Sequence, residues 1–378
     1  MTTIDRVEAT GILGAPVVDT GVIDVDIHPT PQEGKINTYL PAKWRKHMDE
    51  YGVRTTNGLQ SIGEYPQMYG GAMRADAWPE NGFPGSDLGL IQEQLLDLHN
   101  VQLGVLQCLA PGGQTLNPAS QALNPELGAV LCSAINDWQL ECLVYPDPRL
   151  RAAIPVTLDC PEFAIKEIKR VGDDPGVVSI LGLSKTLEPL GSRRYWPLYE
   201  AAIEAGLPFQ FHLSTGGGHA NTGTGWTSYH TEYHVGHVQS FQSQMLSLIL
   251  SGTFDRYPEL KIMFVEGNVV HFASLLERLE YHWKTLSSEV DLQRKPSEYI
   301  HDHIWASTQP IDEPEKPAHL ADMIEEFCAD NVLYASDYPH FDFDSPETVF
   351  PPSFPQDLRE KILRKNGQKF FGLEVTES

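Results

Sequence analysis

The chain is poor in cysteine, and its cysteines are not spaced for a shared task. Cys108, Cys132, Cys142, Cys160 and Cys328 are scattered, odd in number and never arranged as C-x-x-C. That pattern excludes a disulfide framework and a thiolate zinc site, and fits reduced thiols in a cytoplasmic protein. No apolar run reaches the ~20 residues needed to span a bilayer. The opening MTTIDRVEATGILGAPVV lacks the basic-then-apolar order of a secretory signal. Positive charge is also scarce: 27 Lys and Arg stand against 51 Asp and Glu, a formal net charge of −24. Such a surplus argues against nucleic acid or an anionic membrane as a partner. Both phosphate-cradling loops are missing, since no strand-like run leads into G-x-G-x-x-G and G-x-x-x-x-G-K-[ST] does not occur. The expectation is a soluble, cytoplasmic protein that acts on a small molecule. A homo-oligomer is left open, because the apolar run Val238–Ser251 serves a core as well as an interface.

What is present is a regular alternation. A hydrophobic content of 41% and a charged content of 21% are globular values. Short apolar runs at Val22–Ile27, Val101–Leu109, Ala152–Leu158, Val177–Leu183, Leu207–His212, Leu260–Val265, His303–Ser307 and Val332–Ser336 read as strands. Amphipathic helical patterns separate most of them, among them Pro161–Val171, Arg194–Ala205, Val269–Trp283 and Gln356–Phe371. Eight such units predict a (β/α)8 TIM barrel more than an open doubly wound sheet. One domain over residues 1–378 is expected, with residues 30–90 as an insertion after the first strand that covers the active-site mouth. That insertion is long for a loop and rich in aromatics, including Tyr65, Tyr69, Trp78 and Phe83 beside Arg74.

In a barrel of this kind chemistry sits at the C-terminal ends of the strands. The first strand runs into Asp26-x-His28, whose spacing puts both side chains on one face. The fifth ends in His212, the sixth in Glu266, and the eighth in Asp337; Lys185 lies just past the fourth. Imidazoles and carboxylates converging at one mouth are ligands suited to Zn²⁺, with Mn²⁺ or Fe²⁺ as further fits. Five histidines crowd the stretch from His212 to His237, together with Trp226, Tyr229 and Tyr233. That stretch reads either as a polar loop leading into a helix or as a pocket wall. On the second reading His219 and His237 contact substrate, as would Arg74 and His340.

The pieces GVIDVDIHP, LPFQFHLSTGG, SGTFDRYPELKIMFVEGNVVHFASLLERLEYHW and VLYASDYPHFD resemble the amidohydrolase-related group of the amidohydrolase superfamily. The branch in view holds the aminocarboxymuconate-semialdehyde and resorcylate decarboxylases. The resemblance implies a mononuclear metal site held by Asp26, His28, His212 and Asp337. The family most often has histidine or glutamate where this chain has Asp26. A carboxylated lysine at Lys185 would make the site binuclear; an ordinary solvated lysine is the plainer reading. Decarboxylating relatives usually carry a histidine after the sixth strand, where this chain has Glu266, with His271 five residues later. Glu266 and His271 are therefore candidate catalytic groups, Glu266 alternatively a helix cap.

Two reactions fit. In a hydrolase, a metal-activated water attacks a small cyclic or carboxylated substrate, and Asp337 is the general base. In a non-oxidative decarboxylase on the same site, Asp337 protonates carbon as CO₂ leaves an aromatic or muconate-type acid. The sixth-strand departure favours the first. A barrel that only binds a ligand is the third reading, weakened by the cost of keeping buried charged clusters without a cation.

Overall fold

A computed structural model of the chain describes residues 17–18, 21–51, 73–109, 124–213, 222–225, 227–373 and 375–376. Eight parallel strands form one sheet in sequential order. They are β1 (Val22–Ile27), β2 (Val101–Gln107), β3 (Leu150–Pro155), β4 (Val177–Leu183), β5 (Phe209–His212), β6 (Ile262–Phe264), β7 (Ile304–Ser307) and β8 (Val332–Leu333). The segment following β8 returns to β1: Val25 N–H donates to Tyr334 O at 3.1 Å, His28 N–H to Tyr338 O at 2.7 Å, and Asp337 N–H to Asp26 O at 3.1 Å. This brings the ends of the sheet together as a (β/α)8 TIM barrel, the architecture expected from the alternation. A separate short parallel ladder joins Val17–Val18 to Val375–Thr376.

The strands end earlier than their apolar runs suggest in β2, β3, β6 and β8. In β8 the reason is visible: the N–H of Ser336 goes to the Asp24 carboxylate at 3.0 Å rather than to a neighbouring strand. Helices form where local signals place them. Pro125–Gln139 opens on Asn124, whose side chain accepts from Leu127 N–H at 3.0 Å, with proline in the first turn. Pro161–Val171 buries Ala164, Ile168 and Val171 on one stripe. Of the helix that the sequence pattern predicts over 119–144, residues 119–123 lie outside the described residues.

Two apolar layers hold the barrel. Inside it, Ile23, Val25, Leu103, Val105, Ala153, Leu181, Met263, Val265, Trp305, Leu333 and Ala335 pack together, with Phe370 from the closing helix among them. A larger cluster lies between the strands and the surrounding helices. β5 contributes Gln210 rather than an apolar residue toward β1. Its amide and that of Gln107 both donate to Val25 O, at 3.2 and 2.7 Å. The pairing of β1 with β2 shifts register between Asp24 and Ile27, and this irregularity lets side-chain amides reach the Val25 carbonyl. Among the described residues no helix is long and apolar enough to cross a membrane. None of the five cysteines forms a disulfide.

The described parts of the insertion return to the barrel mouth. After the helix Ala42–Tyr51, the chain pairs Met73 with His340 in an antiparallel bridge. Arg74 N–H donates to Pro339 O at 3.0 Å. Gly85 lies so close to the backbone of His28 that a Cβ there would stand 2.3 Å from His28 O, at a φ of +80°. Glycine alone fits this approach. Tyr65 and Tyr69 are outside the described residues.

Candidate active site

The ends of β1, β5, β6 and β8 bring five side chains together. His28 Nδ1 donates to Gln107 O at 2.9 Å, which fixes the ring and leaves Nε2 facing inward. That Nε2 stands 3.1 Å from Asp26 Oδ1 and 2.9 Å from Asp337 Oδ1. His212 is set the same way, with Nδ1 donating to Leu213 O at 2.8 Å. Its Nε2 lies 3.8 Å from Asp26 Oδ2 and 3.7 Å from Glu266 Oε2. The two imidazoles meet edge-on, ring centroids 4.9 Å apart. Asp26, His28, His212, Glu266 and Asp337 are all buried.

Donor atoms of Asp26, His28, His212 and Glu266 all lie within 4.8 Å of one another, and so do those of His28, Glu266, Asp337 and His340. Oδ2 of Asp26, Nε2 of His212 and Oε2 of Glu266 take no hydrogen bond. Buried lone pairs without donors are costly, and here they converge. The electrostatics agree. Burial, then the Asp337 and Asp26 carboxylates, push Glu266 well above the usual glutamate range. Burial works against a charged His28, yet Asp26 and Asp337 hold it well above the usual histidine value. Burial pushes His212 down to about 4. A divalent cation relieves each of these strains, so the residues fit a metal such as zinc, manganese or iron.

Asp337 sits at a φ of +61°, a conformation rare for a non-glycine residue. Oδ1 accepts from His340 Nδ1 at 2.6 Å, and Oδ2 from the Gln309 amide at 3.1 Å. Burial alone would raise its pKa, but His340 and His28 hold it well below the usual carboxylate range. His340 also stacks on His28, centroids 4.5 Å apart.

The remaining expected residues are placed differently from one another. His237 is buried, and its Nε2 donates to Glu266 O at 2.9 Å; it grips the Glu266 backbone. Arg74 stands at the mouth over Phe343, 4.6 Å from its ring centroid. Its guanidinium is already bonded in a fork to Asp76, at 3.0 and 2.8 Å. His271 is not among the described residues whose donor atoms converge. The chain passes through Asn268 at a φ of +56° into Val269–Thr285, which carries His271 away from the donor cluster. There it lines a cleft of about 530 Å³ with Thr222, Thr224, Glu232, Gln239 and Gln242. Lys185 is half-buried rather than solvated, and burial pushes its amine down to about 8. His219 and Trp226 lie outside the described residues.

Two residues that the strand-end reading passed over support the site. Gln309 binds Asp337, and Ser307 accepts from Glu266 N–H at 2.9 Å. Both follow or end β7 in the run IWASTQ, where the strand-end rule applied to the other strands would have found them.

The chain is 26% identical over 314 residues to the gamma-resorcylate decarboxylase of a Polaromonas species, covering 78% of this chain and 91% of that protein. The gamma-resorcylate decarboxylase of a Rhizobium species is 24% identical, over 83% of this chain and 96% of the relative. Among solved structures, the 5-carboxyvanillate decarboxylase of Novosphingobium aromaticivorans, complexed with manganese and 4-hydroxy-3-methoxy-5-nitrobenzoic acid, superposes with a TM-score of 0.66 at 21% identity, covering 93% of this chain and 96% of that one. This likeness speaks for the fold. The sequence profile of the amidohydrolase family matches residues 23–373, and the chain belongs to that family.

Proposed function

We propose that this protein is a metal-dependent carboxy-lyase that removes CO₂ without oxidation from an aromatic acid, of the hydroxybenzoate type, whose carboxylate neighbours a ring hydroxyl. The single observation that carries the reading is the likeness, over most of both chains, to decarboxylases of resorcylate. It favours the second of the two reactions over hydrolysis. Asp26, His28, His212 and Asp337 would hold the ion, and manganese, present in the structure of the 5-carboxyvanillate relative, is the first to test. When bound, the ion supplies positive charge against which a carboxylate and a neighbouring phenol oxygen can seat.

The chain's own residues then have a proton to deliver. The bond from ring carbon to carboxylate breaks, its electron pair stays on the ring, and a proton must arrive at that carbon as CO₂ departs. Asp337 Oδ1 is suited to carry it, because His340 Nδ1 lies 2.6 Å away and reaches toward solvent with 14% of its side chain exposed. Gln309 on the other oxygen fixes the carboxylate's plane. Arg74, bound to Asp76, is better suited to shaping the mouth, with Trp78 and Phe83 on the returning insertion, than to gripping a substrate charge.

The test is turnover of a panel of hydroxybenzoates by manganese-loaded protein, read as CO₂ release and loss of the acid, beside esters and lactones. Release of CO₂ with one phenol formed per acid consumed is the expected result. Hydrolysis of an ester or lactone with every acid left intact would replace this reading with the hydrolase.

A further inference from the structure

His340 reaches the donor cluster from a loop. Its ring donates to Asp337 Oδ1 at 2.6 Å and stacks on His28 with centroids 4.5 Å apart. Its backbone lies in residues 334–355, which form neither helix nor strand between β8 and the helix Gln356–Glu360. A loop of that length takes its shape from what packs against it. We propose that the returning end of the insertion sets this loop, with Arg74 as its positioning residue, acting on turnover through the His340–Asp337 contact and not by gripping substrate. The inference rests on the carboxy-lyase reading above and adds to it a residue outside the donor cluster.

Three sets of contacts carry it. The first is backbone pairing. Met73 bridges His340 in antiparallel fashion, and Arg74 N–H donates to Pro339 O at 3.0 Å. The second is the Arg74 side chain. Its guanidinium lies over Phe343 at 4.6 Å from the ring centroid and over Tyr338 at 5.9 Å. A cation is drawn to a ring face, so one side chain covers the two aromatic residues that flank His340 on the loop.

The third is how Arg74 is itself held. Asp76 binds the guanidinium in a fork at 3.0 and 2.8 Å, which fixes its plane. Gln94 then ties this turn to the loop: its amide donates to Asp76 O at 2.8 Å, and its oxygen accepts from Tyr338 O–H at 2.9 Å. From the far side Gln309 donates to Asp342 O at 3.4 Å as well as to Asp337. His340 therefore sits between two pins, one from the insertion and one from the end of β7. Misplacement of a reacting group by about 1 Å can cost about 100-fold in rate, so what holds His340 bears on kcat.

The experiment measures kcat and KM for a hydroxybenzoate with manganese-loaded full-length protein, in wild type, Arg74→Ala, Arg74→Lys, Asp76→Asn, His340→Gln and the Arg74→Ala, His340→Gln double variant. Arg74→Ala should lower kcat by about 10- to 100-fold with KM within about 3-fold of wild type. Arg74→Lys keeps the charge but not the fork, and should recover part of the loss. In the His340→Gln background, Arg74→Ala should cost no more than about 3-fold, because the contact it serves is gone. If Arg74→Ala does not fold, Asp76→Asn serves in its place, its side chain being 62% exposed.

A second readout needs neither metal nor turnover. In the ring nitrogen spectrum of histidine-labelled, metal-free protein, Arg74→Ala should move the His340 signal, assigned by its loss in His340→Gln. The signal of His303, stacked on Phe254 away from the site, should stay in place. A KM raised 10-fold or more with kcat kept would overturn the proposal and make Arg74 a grip on substrate. Losses that multiply in the double variant, or an unmoved His340 signal, would overturn it as well. If the wild type turns over no acid at all, the carboxy-lyase reading fails, and the ring spectrum alone decides whether Arg74 sets His340.

Discussion

On the proposed reading, Asp337 is the residue on which most of the chemistry turns. It is buried, held at a left-handed backbone angle and gripped through both oxygens by His28, His340 and Gln309. On that reading a residue so surrounded transfers a proton at one atom. Asp337→Asn keeps the size and removes that capacity, so kcat should fall by about 10²–10⁴-fold while the far-ultraviolet circular dichroism stays that of wild type. Unchanged turnover in that variant would refute decarboxylation and hydrolysis on this site together. Arg74 shows the limit of reading single residues: a lone arginine in an aromatic insertion suggests an anion grip, but Asp76, two residues on, already occupies its guanidinium.

At the scale of elements, the helices Pro125–Gln139 and Pro161–Val171 are joined by one buried carboxylate. Glu167 accepts from Ser133 at 2.6 Å, from Asn136 at 2.7 Å and from Arg170 at 2.9 and 2.7 Å. Burial alone would raise its pKa, but those donors hold it below its ordinary value of 4.5. A carboxylate depressed in the folded state contributes stability that is fully present above the unfolded value and is lost as pH falls through the folded one. Glu167→Gln should therefore cost about 1–3 kcal/mol in urea unfolding at pH 7. The gap between variant and wild type should narrow as pH drops below about 4.5. A gap independent of pH would mean that the loss is one of packing, not of charge.

For the whole molecule, the donor cage couples separate parts of the barrel. Its members come from the ends of β1, β5, β6 and β8, and the insertion presses on the first of them at Gly85. An ion bound there stabilises the closed barrel by mass action, by about 2.7 kcal/mol when its free concentration is 100 times its Kd. Chelator-treated protein should melt at a lower temperature than untreated protein, and added Mn²⁺ should restore the loss in a concentration-dependent way. A melting temperature indifferent to both treatments would argue that no ion bridges these strands.

The amino-acid sequence by itself determined the barrel, because strand and helix periods are local and eight apolar runs stand clear of the helical stripes between them. It also placed Asp26, His28, His212, Glu266 and Asp337 at strand ends, since in a parallel barrel the end of each strand has one destination. Tertiary structure alone decided which neighbours each of these meets. Glu266 enters the donor group through a left-handed turn held by Ser307 and His237, 41 and 29 residues away in sequence. His271, five residues further, is carried out of it by the helix. These outcomes depend on backbone angles and on partners brought close only by the closing of the barrel, and no local pattern encodes either.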